Sequence, residues 1–153
     1  MMEADLNSAS ILMSSYMVLG DVEGMRRSAQ RALKRAEAIL VHDPNNSMVA
    51  GYSAYALAAL GEGERAKARM ERAMLIDPQN FNMRYNFACA LSVYLQDKAA
   101  AIAMLGPVLE TATATFLRYV KVDPDLDLLR EEPRFQAMLA ATEARLAARA
   151  GHT

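Results

Sequence analysis

The tetrapeptide Asp43-Pro44-Asn45-Asn46 returns as Asp77-Pro78-Gln79-Asn80, 34 residues later in a chain of 153. A period of that length implies one helical hairpin stacked on copies of itself, since a single hairpin cannot bury its own apolar face. Laying 43–76 over 77–110 without a gap pairs Asp43 with Asp77, Pro44 with Pro78 and Asn46 with Asn80. The same offset pairs Ala54 with Ala88, Ala56 with Ala90, Leu57 with Leu91, Ala66 with Ala100, Met70 with Met104 and Leu75 with Leu109. The matched residues are mostly small or apolar at helical spacing. Such residues are needed where helices cross closely, because Ala lets backbones approach and loses no side-chain entropy. What recurs is packing, not a set of ligands.

The chain reads as all-α. Ala, Leu, Met, Arg and Glu dominate, there is no Trp, and the five prolines fall between periodic segments. Leu6, Ile11, Leu12, Tyr16 and Leu19 predict a first helix that ends at Gly20-Asp21. Further helices are expected from Glu23 to His42, from Ser47 behind the cap Asn46 to Leu60, and from Glu64 to Ile76 after Gly61-Glu62-Gly63. Asn80 caps a fifth, to about Leu95, and Asp97 opens a sixth that reaches Glu110, with Pro107 tightening or kinking its end. A short helix over 113–121, an irregular stretch from Asp123 to Leu129 and a last helix from Pro133 to about Ala148 complete the reading.

The first hairpin is longer than the others. Gly61 to Pro78 is 17 residues whereas Gly20 to Pro44 is 24. The excess of seven is two helical turns, which leaves the buried face in register. Arg31-Ala32, Arg35 and Glu37 accordingly align with Arg65-Ala66, Arg69 and Glu71 at the 34-residue offset.

These residues carry a resemblance. A 34-residue helix-turn-helix with Tyr16-x-x-Leu19-Gly20, Gly61, Ala54, Ala66, Ala73 and Pro78 resembles the tetratricopeptide repeat, with repeats at about 9–42, 43–76 and 77–110. The usual early aromatic of the first helix is replaced by Ala50 and Arg84. Downstream, Tyr85-Asn86-Phe87-Ala88-Cys89, Leu105, Asp123-Pro124-Asp125-Leu126, Arg130 and Pro133-Arg134-Phe135 resemble the closing segment of such arrays in bacterial class III adenylate/guanylate cyclases and TolB-like multidomain proteins. The resemblance implies a single domain, an αα-hairpin solenoid of right-handed superhelical form with a closing segment and C-terminal capping helix within 111–149. It also implies a non-catalytic scaffold for protein–protein interaction, the C-terminal module of a bacterial signalling protein.

The tail suits a cap. Phe135, Met138, Leu139, Thr142 and Leu146 share one face of the last helix, with Gln136, Glu143, Arg145 and Arg149 on the other. Residues 9–19 are apolar on more than one face and have no such polar side. Either an upstream segment of a longer chain covers this helix, or it drives self-association into a homodimer.

In the repeat arrangement the first helix of each hairpin lines a concave groove, which here offers Met48, Tyr52 and Tyr55, then Asn82, Tyr85, Asn86 and Cys89. Asn amides can hold an extended peptide backbone, and Tyr and Met give adaptable apolar contact; the competing reading is packing between repeats. Family members that clamp a C-terminal carboxylate use Lys and Asn, and segments 47–60 and 80–95 contain no Lys. Arg27, Arg31, Lys34 and Arg35, with Arg26, form a basic helix face that is either a solvated surface or a docking face for an acidic partner.

No enzyme, cofactor or metal site is expected. His42 sits at a helix end, where a basic side chain suits the dipole, and Cys89 follows Ala88 as a small core residue. Asp123, Asp125, Asp127, Glu131 and Glu132 lack the glycine and spacing of a calcium loop and read as turn and cap residues. A formal net charge of −1 offers no field for nucleic acid, and no segment is apolar enough to insert in a membrane. One cysteine and an acidic start without a signal-peptide pattern point to a reducing, cytoplasmic setting.

Overall fold

The structure, a computed structural model, describes residues 2–151, and side chains from residue 6. Among the described residues eight α-helices run in order: α1 (Met2–Val18), α2 (Val22–His42), α3 (Ser47–Ala59), α4 (Gly63–Ile76), α5 (Phe81–Val93), α6 (Lys98–Thr111), α7 (Ala114–Val122) and α8 (Pro133–Ala150). The stretch Pro124–Leu129, expected to be irregular, is a 3-10 helix. Among the described residues there is no strand. Two compact units divide the chain, residues 1–83 and 84–153.

In the first unit each helix packs on the next, and α1 also reaches α3. The interface residues are small: Ala29, Ala32 and Ala36 of α2, Ala50 and Ala54 of α3, and Ala66 and Ala73 of α4 are all buried. Leu6, Met13, Leu57 and Met70 fill the space that remains. Close backbone approach depends on the absence of side-chain volume at the Ala positions, so enlarging one forces the helices apart at about 1–3 kcal/mol.

The repeat is visible bond for bond. Asp43 ends α2 with φ −133° and ψ 77°, and Asp77 ends α4 with φ −135° and ψ 75°. Asn46 Nδ2 donates to Asp43 Oδ2 at 3.1 Å while its Oδ1 accepts from Val49 N at 3.1 Å. Asn80 repeats both bonds, to Asp77 Oδ2 and from Met83 N, at 3.0 Å each. Each Asn thus fastens the preceding helix end and caps the following helix. The turns inside the first two hairpins also match. Gly20 (φ 71°) and Gly61 (φ 78°) take the left-handed conformation, and the next amides, Asp21 N and Glu62 N, donate to Tyr16 O and Leu57 O at 2.9 Å. The long first hairpin is confirmed, α2 having 21 residues against 14 for α4.

The third hairpin departs from the ungapped alignment. α3 and α5 keep the 34-residue offset, Ala54, Ala56 and Leu57 being buried like Ala88, Ala90 and Leu91. At the turn an extra residue enters, Gln96, with φ 52°, and Asp97 N reaches back to Leu91 O at 3.0 Å. The bond spans one residue more than at Gly61. α6 is therefore displaced by one position, and Ala66, Met70 and Ala73 correspond in burial to Ala101, Leu105 and Val108 rather than to residues at the ungapped offset. The expected pair Leu75 and Leu109 separates accordingly, at 77% and 2% exposed.

In the second unit α8 packs on α6 and α7, and the 3-10 helix on α6. Phe135, Leu105, Leu126, Leu129 and Val120 form its core. Pro107 lies within α6 rather than at its end, and Thr111 Oγ1 donates back to Pro107 O and Val108 O at 3.3 Å. Phe135 and Thr142 are buried as expected of a packed tail helix. Arg145 was expected on the polar face, and it turns instead onto the end of α6. Its Nη2 donates to Leu109 O at 3.2 Å and Ala112 O at 2.7 Å, and Thr142 Oγ1 also donates to Leu109 O at 3.2 Å. Leu109 O already accepts from Ala112 N at 3.3 Å, and the tail helix supplies the further donors at this helix end.

Candidate functional site

Asn46 fixes the start of α3 and thereby the row that follows from it. Met48 is exposed and Tyr52 and Tyr55 are half-buried, at the spacing of one helix face. The Tyr55 and Ser14 hydroxyls lie 3.2 Å apart, which places the end of this row beside α1. On α5, Asn82 and Asn86 are exposed.

Tyr85 and Cys89, expected on an open groove, are buried. Neither offers a side chain to a peptide. The Tyr85 hydroxyl donates to Asp123 Oδ2 at 2.5 Å, and Asp123 Oδ1 accepts from Asp125 N at 3.0 Å. Arg130 closes the junction from outside, donating to Asp123 O at 2.8 Å and to Lys121 O. The Tyr85 ring meets Phe116 edge to face at 5.1 Å and Tyr119 at 6.0 Å.

Burial, and then the bond to Asp123, raise the Tyr85 phenol above its usual range. Burial, and then the carboxylates of Asp125 and Asp123, raise the Cys89 thiol. Burial followed by Asp123 and Asp127 raises Asp125. A thiol held protonated is in the form least suited to nucleophilic attack or metal ligation. Asp123 performs the capping duty expected of the acidic run. Its contact with Tyr85 was missed, and the available signal was a third Asp-Pro, Asp123-Pro124, after a helix of its own. Among the described residues no group of His, Cys, Asp and Glu is placed to hold a metal ion. His42 lies exposed at the end of α2.

The basic row of α2 is on the surface, with Arg27, Arg31, Lys34 and Arg35 all exposed. Because α2 has two more turns than α4, its first part stands beyond the α3–α4 turn. A notch of about 360 Å³ opens at this step. Arg26, Gln30 and Lys34 form one wall, and Leu33 and Leu60 line it with apolar surface. Arg65 bridges its acidic end, reaching Glu37 at 3.1 Å and Glu62 at 2.5 Å.

No family model matches the chain, and no curated protein matches it. Among the described residues no helix is long and apolar enough to cross a membrane.

Proposed function

We propose that this chain is a non-catalytic protein-interaction scaffold of the tetratricopeptide kind, its hairpins stacked as a right-handed solenoid and closed by α8. The observation that carries the reading is the recurrence of the Asp-Pro-x-Asn junction, hydrogen bond for hydrogen bond, after 34 residues. Repetition of a junction supports selection for a stackable unit, whose product is surface rather than a catalytic pocket.

The partner is a protein or peptide, and two surfaces of the first unit suit it. Met48, Tyr52 and Tyr55 supply adaptable apolar contact. The α2 row with the notch at Leu33 and Leu60 suits a segment with an aliphatic anchor beside acidic residues, since Arg26 and Lys34 line the same wall. The closing-segment residues Asp123-Pro124-Asp125-Leu126 and Pro133-Arg134-Phe135 support a further proposal, that the segment is the C-terminal module of a bacterial signalling protein such as a nucleotide cyclase. The size of the native polypeptide, read by immunoblot with an antibody to this segment, tests that placement.

The scaffold reading is tested by selecting binders from a random peptide library on the folded chain and measuring them by calorimetry. Selected peptides are expected to lose at least tenfold in affinity with Tyr52→Ala or with the pair Arg27→Glu and Arg31→Glu. Binders indifferent to both surfaces, or no binder at all, would overturn it.

A further inference from the structure

One face of α1 is apolar and open to water. Ile11, Leu12, Val18 and Leu19 are 60%, 47%, 88% and 78% exposed, on the side of the helix opposite the buried Leu6 and Met13. Ile11 pairs with Val18 and Leu12 with Leu19 at seven-residue spacing, and Val22, the first residue of α2 beyond the Gly20 turn, is half exposed as well. Spacing of seven is the pattern of a seam between two helices. Ser15 lies between the two pairs, and its hydroxyl donates to Ile11 O at 2.9 Å, so it presents a small surface with its polar hydrogen satisfied. No charged residue occurs from Leu6 to Gly20.

We propose that this face is the interface between two copies of the chain, α1 lying antiparallel on its partner's α1 about a two-fold axis beside Ser15. A two-fold contact sets a surface against itself, so any charge on it meets its own like. This face carries none. The exposed aliphatic residues present roughly 600 Å², at the top of what a monomer's largest apolar patch amounts to and close to the ~800 Å² per partner of a stable interface. Orientation follows from charge. A parallel pair brings Arg26 and Arg27 of both copies to the same end, whereas an antiparallel pair carries them to opposite ends. The small Ser15 at the centre is where the two backbones approach most closely. The inference is independent of the scaffold reading, since neither the α3 row nor the α2 row takes part.

Sedimentation velocity on the whole chain, over a hundredfold range of concentration, provides the test. A dimer of twice 16.8 kDa that dissociates on dilution is expected. The pair Ile11→Lys and Val18→Lys should weaken it at least a hundredfold with unchanged far-ultraviolet dichroism, both positions being exposed. Mixing that protein with one carrying Ile11→Glu and Val18→Glu should restore association as a heterodimer. Ser15→Cys should oxidise to a covalent dimer much faster than Leu19→Cys. A monomer at every concentration overturns the proposal, as does a dimer that neither charge pair weakens. Equal cross-linking at both cysteine positions overturns the antiparallel orientation.

Discussion

The hydroxyl of Tyr85 on α5 lies 2.5 Å from Asp123 Oδ2 at the junction of α7 and the 3-10 helix, and both residues are buried. Replacing Tyr85 by Phe keeps the ring against Phe116 and Tyr119 and removes the hydroxyl, with its bond to Asp123 and its interaction with the Cys89 side chain. Asp123 then keeps its bond from Asp125 N and its interaction with the Tyr119 hydroxyl. Leaving a buried acceptor short of a donor costs about 1–3 kcal/mol. Tyr85→Phe should lower the urea midpoint by that amount at unchanged slope; an unaltered midpoint would show that the bond contributes nothing to stability.

Alkaline pH should weaken the second unit. Tyr85 and Cys89 both hold their protons to higher pH in the folded chain than in the unfolded one. Above the ordinary thiol value of about 8.5 and phenol value of about 10 the unfolded state therefore binds fewer protons than the native state, and stability falls as pH rises. The slope is up to ~1.4 kcal/mol per pH unit for each group. Their contribution is fully present at neutral pH. Cys89→Ala should flatten the first part of this decline in a series of thermal melts; equal slopes for the two proteins would assign the loss to other groups.

The two Asp-Pro-x-Asn junctions give a matched pair of substitutions. Asn46→Ala and Asn80→Ala each remove a bond to the preceding Asp and a bond from the following helix. Each should cost about 1 kcal/mol, and the two should agree within a few tenths. A large disparity in denaturant titrations would mean that equal geometry is not equal energy here.

Gly24 contrasts with Gly61. A Cβ at Gly24 would meet the carboxylate of Asp21, which caps α2 through Gly24 N, and the Tyr16 ring at 2.7 Å. At Gly61 the same Cβ meets open space and only the left-handed backbone opposes it. Gly24→Ala should cost about 1–3 kcal/mol through crowding and loss of the cap, and Gly61→Ala about 1. Melting curves that reverse this order would show that Tyr16 and Asp21 move aside freely.

The helices were legible because Asp43-Pro44, Asp77-Pro78 and Gly61 punctuate the chain where backbone chemistry requires it. The displacement at Gln96 was not, because Ala99, Ala100 and Ala101 adjoin, and Met104 stands next to Leu105, so either register pairs like with like. The inward direction of Tyr85 was hidden by α5 itself, in which Phe81, Met83, Tyr85, Phe87 and Leu91 leave no single apolar stripe. Its partner stands 38 residues away. Arg145 shows the same limit: periodicity assigned it to solvent, whereas the carbonyls of Leu109 and Ala112 at the end of α6 claimed it.

The residue added at Gln96 also marks a joint. The turn absorbs it in the left-handed conformation while α5 keeps its buried row and α6 keeps its own, one position along. A point that accepts a change of length without disturbing the helices on either side is where a hairpin can lengthen or shorten at its own turn. The Gln96 turn is thus the place in the chain where residues can be inserted or removed with least disturbance of the helices it joins.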